Sequence, residues 1–229
     1  MLGNWRLALS LLGLYCLPCN GQPVLSAHAG LILFTEGAVF LDGKPYVPRT
    51  GRWAEVPENV TLQTQDGKAD VLLAPGVFLR MGAQSGIRLM SNKLVDVQVE
   101  FLGGSAIIES TQQQPENSVT FLHRKQQIRI GDRGRYRINS EPGQIVVHSG
   151  QLELRHDETE MILAEHHLFS FDSSEVKETL ASQQDALDYW DQERQRVDDP
   201  APAPIKPLDG WKRRLARLLI IPTLPRTGL

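Results

Sequence analysis

Few side chains in this sequence have the type and spacing that catalysis or metal binding needs. His166 and His167 are the most suggestive pair, but successive residues of a strand point to opposite faces of a sheet, so adjacent histidines do not readily chelate one ion. Ser85 lies in Gly82-Ala-Gln-Ser-Gly86, where the serine is one position later than in the Gly-x-Ser-x-Gly of a nucleophile elbow. The segment also lacks the α/β context of that elbow, so a turn is the better interpretation. The pattern predicts no bound metal, no cofactor and no enzymatic activity. A pair of carboxylates that meets only in space leaves no mark on a sequence, and an enzyme is therefore kept as the third hypothesis.

The basic stretch at positions 123–137 provides one candidate binding surface. Its charged residues are Arg124, Lys125, Arg129, Arg133, Arg135 and Arg137, with Asp132 as the one nearby acid. Charged positions of an alternating strand normally face solvent, and this plain interpretation is favoured. The alternative is that Arg129, Arg133, Arg135 and Arg137 bind an anionic polymer or a partner protein.

The C-terminal segment provides a second candidate surface. Positions 200–229 form a Pro-rich spacer and a basic tail, and Lys206–Leu229 carries six basic residues against one acid, a balance of +5. The residues expected to make contact are Trp211, Lys212, Arg213 and Arg214. The tail either folds back on the acidic segment before it or contacts an anionic membrane or a partner. The spacer slightly favours the second alternative, because proline-rich segments hold their neighbours apart.

Residues 1–29 have the pattern of a secretory signal peptide. Arg6 provides the positive charge and Leu7–Leu17 the apolar run, which is too short for a membrane span of about 20 residues. Cleavage is expected after Gly21 or after Ala29. The sequence therefore predicts a periplasmic or secreted protein.

Removal of this signal segment determines the chemistry of the mature chain. Both cysteines, Cys16 and Cys19, lie within it, so disulfides, thiol catalysis and cysteine-bound zinc are excluded for the mature protein. One basic residue is lost, and the remaining 23 basic and 27 acidic residues give a net charge of −4. Such a charge does not favour nucleic acid as a partner.

Positions 30–171 predict an all-β domain. Short runs rich in Val, Ile, Leu and Phe are separated by Gly, Pro and Asx turns, without helical periodicity. In Val95–Phe101 every odd position is apolar and every even position is polar, so one face of this strand should be buried. Similar runs follow Gly76, Gly104, Gly134 and Gly150. A repeated strand and turn unit fits either a short β-solenoid or a jelly-roll-like stack.

Positions 172–199 predict an amphipathic acidic helix. Asp172-Ser-Ser-Glu175 has the capping-box form that begins a helix. The apolar residues at helical spacing are Val176, Leu180, Leu187, Trp190 and Val197. The segment holds nine carboxylates against three basic residues, a balance of −6. We expect this helix to pack on the β domain.

Several of these runs resemble FecR-type domains. They are Ala69–Gly82, Ser85–Leu89 and Val99–Glu109. The resemblance covers about Gly30–Phe171, and Asp185-Ala-Leu-Asp-Tyr-Trp190 is similar to the Asp-x-x-x-x-Trp segment that often follows such domains. A similar arrangement occurs in exported proteins of acidobacteria. The family implies no catalytic residue, and Gly76 and Gly104 are interpreted as turn residues, because glycine tolerates positive φ.

The resemblance implies binding or signalling outside the cytoplasm. In the best-known FecR-type proteins, the periplasmic domain senses an outer-membrane transporter and signals through a membrane helix to a cytoplasmic sigma-factor regulator. This sequence shows no comparable cytoplasmic region or membrane span, so only the extracytoplasmic binding module is expected to carry over. The first hypothesis is a module that binds or senses an envelope partner or ligand. The second is a structural scaffold of the cell surface.

Overall fold

Strands account for most of the part of the chain that the structure describes. The computed structural model describes residues 29–49, 53–111, 118–131, 133–179 and 184–198. The strands are β1 (Leu31–Glu36), β2 (Val39–Leu41), β3 (Lys44–Pro45), β4 (Ala54–Glu55), β5 (Thr61–Thr64), β6 (Lys68–Ala74), β7 (Val77–Met81), β8 (Gly86–Lys93), β9 (Asp96–Gly103), β10 (Ser105–Ser110), β11 (Val119–His123), β12 (Gln126–Ile130), β13 (Gly134–Ser140), β14 (Gly143–Ser149), β15 (Gln151–His156), β16 (Thr159–Ala164), β17 (His167–Ser170) and β18 (Val176–Glu178). One α-helix, α1 (Ala186–Asp198), follows them within the described residues.

The strands form two nine-stranded sheets, and the chain alternates between them. Sheet A has the order β18-β17-β14-β13-β10-β7-β6-β1-β4, and sheet B the order β16-β15-β12-β11-β9-β8-β5-β2-β3. The hairpins β6-β7 and β13-β14 belong to sheet A, whereas β8-β9, β11-β12 and β15-β16 belong to sheet B. Along the chain, most new strands or hairpins thus pair with the strand or hairpin that precedes them in the same sheet. The prediction of an all-β domain with a C-terminal helix is confirmed.

The hydrophobic core contains side chains from both sheets. In β9, Val97, Val99 and Phe101 are buried, and the residues between them are partly exposed. These side chains join one cluster with residues of sheet A such as Leu79. The predicted alternation is confirmed for positions 97–101. Val95 is exposed, because it lies in the turn that precedes β9.

Two turn glycines predicted from the sequence have the expected backbone. Gly76 has φ +77° and Gly104 has φ +92°, a region that residues with a Cβ rarely adopt. At Gly104 space is also limiting, since an added Cβ would lie 2.4 Å from the Cα of Ser85. The turn between β9 and β10 therefore packs directly on the turn between β7 and β8.

The helix begins later than the sequence pattern predicts. The capping-box residues 172–175 form a turn, and Val176 pairs with Phe169 at the edge of sheet A, so the predicted start of the helix at 172 is wrong. The Asp172 carboxylate accepts a hydrogen bond from Arg124 Nη1 (2.6 Å), and the backbone N–H of Ser170 bonds to the Glu175 carbonyl. The backbone N–H groups of Ser173 and Ser174 donate to Ser170 Oγ (3.3 Å) and to the Ser170 carbonyl (2.9 Å). The hairpin turn thus satisfies N–H groups that a helix cap would otherwise satisfy. Leu180 and the side chain of Val197 lie outside the described residues.

No helix in the described ranges is long and apolar enough to cross a membrane. The predicted signal segment, apart from Ala29, and the whole C-terminal tail also lie outside those ranges.

Candidate functional site

Helix α1 begins with a reciprocal cap made by two aspartates. Asp185 Oδ1 accepts hydrogen bonds from the backbone N–H groups of Leu187 (2.9 Å) and Asp188 (3.1 Å). Asp188 Oδ2 accepts one from the backbone N–H of Asp185 (3.2 Å). Side-chain oxygens at these positions satisfy N–H groups that have no partner within the helix. The predicted helix therefore has a genuine start signal at Asp185, thirteen residues after the one chosen from the sequence.

A small apolar contact places α1 on the outer face of sheet A. Leu187 and Trp190 form a cluster with Ile107 of β10, separate from the main core. The Trp190 indole N–H donates to Glu36 Oε2 (3.1 Å), and its ring lies 6.4 Å from that of Phe34. The expectation that the helix packs on the β domain is confirmed. Of the apolar residues predicted to share one face of the helix, Leu187 and Trp190 are the two whose side chains the structure describes on α1.

Arginines of β13 bind the first two turns of the helix. Arg137 donates to Asp185 Oδ2 (2.5 Å) and Asp188 Oδ2 (2.7 Å). Arg135 donates to Asp188 Oδ1 (2.7 Å) and Asp191 Oδ2 (2.9 Å). The Arg137 hydrogen bond holds the pKa of Asp185 well below its ordinary value of 3.8. The Asp185 carboxylate is consequently charged over the whole physiological pH range.

A second part of the charged contact centres on buried residues of the sheet. Arg80 of β7 is 1% exposed and donates to Glu109 Oε2 (2.5 Å) and Asp191 Oδ1 (2.7 Å). Asp70 of β6 accepts a hydrogen bond from Arg194 Nε of the helix (2.9 Å). Burial disfavours the charge of Arg80, but the Glu109 hydrogen bond and the charges of Asp70 and Asp191 outweigh it and raise its pKa. The guanidinium therefore stays charged inside the contact.

The structure divides the candidate arginines into two groups. Arg135 and Arg137 are bound by the helix of the same chain, so the interpretation that they project into solvent is wrong. The sequence pattern could not show this, because the aspartates lie about 50 residues further along the chain. Arg129 is exposed, with its Nη1 3.7 Å from Glu153 Oε2, and Arg133 is exposed in the turn before β13. Trp211, Lys212, Arg213 and Arg214 lie outside the described residues.

An aromatic groove beside β1 is a site that the sequence analysis missed. It has a volume of about 470 Å³ and is lined by Ile32, Leu33, Phe34, Thr35, Tyr46, Pro48, Arg49 and Trp53. Trp53 is 69% exposed and the neighbouring Val47 74% exposed. Large apolar side chains that stay exposed together are typical of interaction sites. Single exposed positions in a loop carry no periodic signal, so their convergence is visible only in the fold.

Ser85 has a structural role in a polar turn. Its Oγ donates to the Ser105 carbonyl (2.9 Å), and its backbone N–H donates to Thr64 Oγ1 (2.9 Å). Ser85 is buried and is one of the residues that line an open trough of about 1210 Å³. These bonds tie successive turns of the two sheets together and agree with the interpretation of Ser85 as a turn residue.

The histidine pair lies where a turn leads into a strand. His166 has φ +64° and follows β16, and His167 begins β17 with its Nδ1 2.9 Å from the Glu165 carbonyl. Across the described residues, no three His, Cys, Asp or Glu side chains are grouped closely enough to hold a metal ion.

Comparison with known proteins gives two structural matches. No protein-family model matches the chain, and no curated protein matches it. Two crystal structures of a protein titled "putative anti-sigma factor", from Parabacteroides distasonis ATCC 8503, are similar to it at 15% identity and a TM-score of 0.43. They cover 69% of this chain, which in turn covers 73% and 74% of theirs. Similarity at this level does not assign a family or a function to the chain.

Proposed function

We propose that this protein is a non-enzymatic, extracytoplasmic module of FecR type that binds or senses a partner in the bacterial envelope. The partner class is an envelope protein or an anionic polymer, and the basic tail adds a peripheral membrane contact. Nucleic acid is not a partner in this proposal, since the mature chain has a net charge of −4.

The aromatic groove is the observation that carries the binding role. Phe34 and Trp53 supply exposed apolar area, and Arg49 adds a positive charge at the same site. Aromatic and arginine side chains are enriched at protein interfaces, where they provide large contact areas and directed hydrogen bonds. A groove of this composition is suited to a segment of a partner protein.

The residues that resemble FecR-type domains also support the proposal. Ala69–Gly82 covers most of the β6-β7 hairpin, and Val99–Glu109 leads from β9 in sheet B to β10 in sheet A. Asp185 and Trp190 of the following motif cap and anchor α1. The resemblance thus falls on residues that form the two sheets and hold α1 in place. The regular addition of hairpins favours a short solenoid over a jelly-roll, in which strands pair with more distant ones.

A scaffold role is the second candidate, and an exposed sheet edge favours it. β16 forms one edge of sheet B, and its Ile162 is exposed. Edge strands with exposed apolar side chains can pair with a second copy. This role predicts self-association of the purified chain.

Affinity capture tests the proposed function. The mature chain is immobilised, exposed to envelope extract and compared with Trp53→Ala in the groove and Ile162→Ala at the sheet edge. We expect the wild type and Ile162→Ala to retain a common partner that Trp53→Ala retains at least about tenfold less, because truncation of a central aromatic anchor commonly costs about 2 kcal/mol of binding. Equal retention by all three proteins would rule out the groove. The scaffold role would be favoured if the immobilised chain retained only further copies of the same protein and Ile162→Ala retained fewer of them.

A further inference from the structure

The face of sheet A beneath α1 presents a defined row of side chains across three strands. Ile107 of β10 lies opposite Arg80 of β7 on one side and Arg137 of β13 on the other. In the next row Glu109 lies opposite Arg135. Two arginines therefore flank one apolar position, with a third arginine beside them. We call Arg80, Ile107, Arg135 and Arg137 the helix-binding face.

The contact between this face and α1 depends mainly on charge. The apolar part consists of Ile107, Leu187 and Trp190. The arginines of the face form ion pairs with Asp185, Asp188 and Asp191, at spacings of three residues. Beside the face, Arg194 pairs with Asp70 and the Trp190 indole N–H donates to Glu36. Arginine binds carboxylates through paired N–H donors in a fixed geometry, which makes such a contact selective for the position of each acid.

Helix α1 is short enough to depend on this contact for its order. It contains 13 residues, and isolated helices of that length are marginal in water. If α1 left the sheet and nothing replaced it, Arg80 would lose its ion pair with Asp191. Asp70 would lose its ion pair with Arg194. A competing helix with acids at the same spacing would replace the acid that pairs with Arg80, and Asp70 would keep its ion pair with Arg80 (3.8 Å). The exchange would therefore avoid leaving Arg80 without that acid.

We propose that the helix-binding face is an interaction surface for an acidic amphipathic helix, which α1 occupies in the free chain. The partner is a protein helix with aspartates at positions i, i+3 and i+6, a leucine at i+2 and an aromatic residue at i+5, as in α1. Binding of this partner displaces α1. The aromatic groove adjoins this face, since Phe34 lines the groove and lies beside Trp190 of α1. The inference does not require the groove to bind anything.

A peptide with the sequence of residues 184–198 is the probe for this surface. Its binding is measured by fluorescence anisotropy to the full mature chain and to a variant with Asp185→Asn and Asp188→Asn, in which α1 is weakened but the face is intact. We expect the weakened variant to bind the peptide at least about tenfold more tightly than the wild type, because the apparent affinity scales with the fraction of vacant face. Addition of Arg137→Gln to that variant should abolish the gain.

The controls separate charge-specific binding from other outcomes. A peptide with Asn in place of all three aspartates should not compete, and the strands of every variant are checked by amide hydrogen exchange. Should the weakened variant lose its strand protection, Arg194→Gln serves as a second way to loosen α1. Equal binding of the acidic and Asn peptides, binding independent of Arg137, or no binding to either loosened and folded variant would overturn the proposal.

Discussion

Arg80 shows how strongly single residues determine the contact between α1 and the sheet. The residue is buried together with Asp70 and Asp191, and each depends on the others for charge compensation. Removing one member of a buried ionic group leaves an uncompensated charge in a low-dielectric site, which costs more than the loss of an exposed pair.

Arg80→Met should therefore lower the free energy of unfolding by about 3–5 kcal/mol at neutral pH, as measured by urea denaturation. The matched control is Arg88→Met, which removes a half-exposed arginine paired with Glu100 on sheet B and should cost less than about 1 kcal/mol. Similar losses in the two variants would show that Arg80 is not part of a buried network.

Gly104 provides a second test at this scale, since two constraints coincide there. Gly104→Ala should destabilise the protein by more than about 2 kcal/mol, because the new Cβ would meet the Cα of Ser85 at 2.4 Å and the backbone has φ +92°. Gly43→Ala is the control, because Gly43 has φ +69° but no atom within 4 Å of an added Cβ. The difference between the urea midpoints of the two variants gives the destabilisation that is due to the close packing of the turns. Equal midpoints would contradict such packing.

Two histidines, the buried His123 and the partly buried His148, predict how stability depends on pH. Burial lowers the pKa of His123 and of His148 from the ordinary value of 6.5, and nearby Arg124 and Arg135, respectively, act in the same direction. Below about pH 6.5 the unfolded chain binds protons that the folded chain does not, so the free energy of unfolding should decrease as the pH falls. Asp185, whose pKa is lowered, adds a further loss below its ordinary value of 3.8.

Urea midpoints at about pH 7.5 and pH 5.5 test the histidine contribution. The wild type should be less stable at the lower pH, and a variant with His123→Gln and His148→Gln should show a smaller decrease. An unchanged decrease in that variant would assign the effect to other groups.

At the scale of elements, the sequence predicted the strands better than the helix. The alternation in β9 was sufficient because burial on one face of a sheet follows a period of two. The capping box at Asp172 was misleading, since the same four residues can form the turn of a hairpin, and pairing with the sheet edge decides between the two. The partners of Arg135 and Arg137 were also hidden, because ion pairs between a strand and a distant helix leave no local pattern.

At the scale of the whole molecule, the order of the hairpins explains why the two candidate surfaces were hard to predict. The aromatic groove combines Phe34 of β1 with Trp53 of the segment before β4, and the helix-binding face combines three strands of sheet A. The all-β class required only composition and turn signals. The position of each surface required the strand order.

Export is a prediction for the whole chain. The signal pattern with Arg6 and Leu7–Leu17 predicts that cells process the protein after Gly21 or Ala29 and release it from the cytoplasm. Cell fractionation followed by N-terminal sequencing should find the shortened chain in the periplasm or the medium. An intact chain that begins at Met1 in the cytosol would contradict both the export and the envelope partner.

Buried charge pairs hold α1 on the helix-binding face. The most direct test of this contact is amide hydrogen exchange, measured along the full mature chain in two matched variants. Asp191→Asn removes a buried carboxylate that pairs with Arg80 and Arg135, whereas Glu193→Gln removes an exposed carboxylate two residues away on the same helix. We expect the α1 amides of Asp191→Asn to exchange at least about 100-fold faster than in the wild type, with the strands of sheet B unchanged, and Glu193→Gln to match the wild type. Unchanged α1 exchange in Asp191→Asn, or an equal increase in both variants, would contradict the seating of the helix by buried charge pairs.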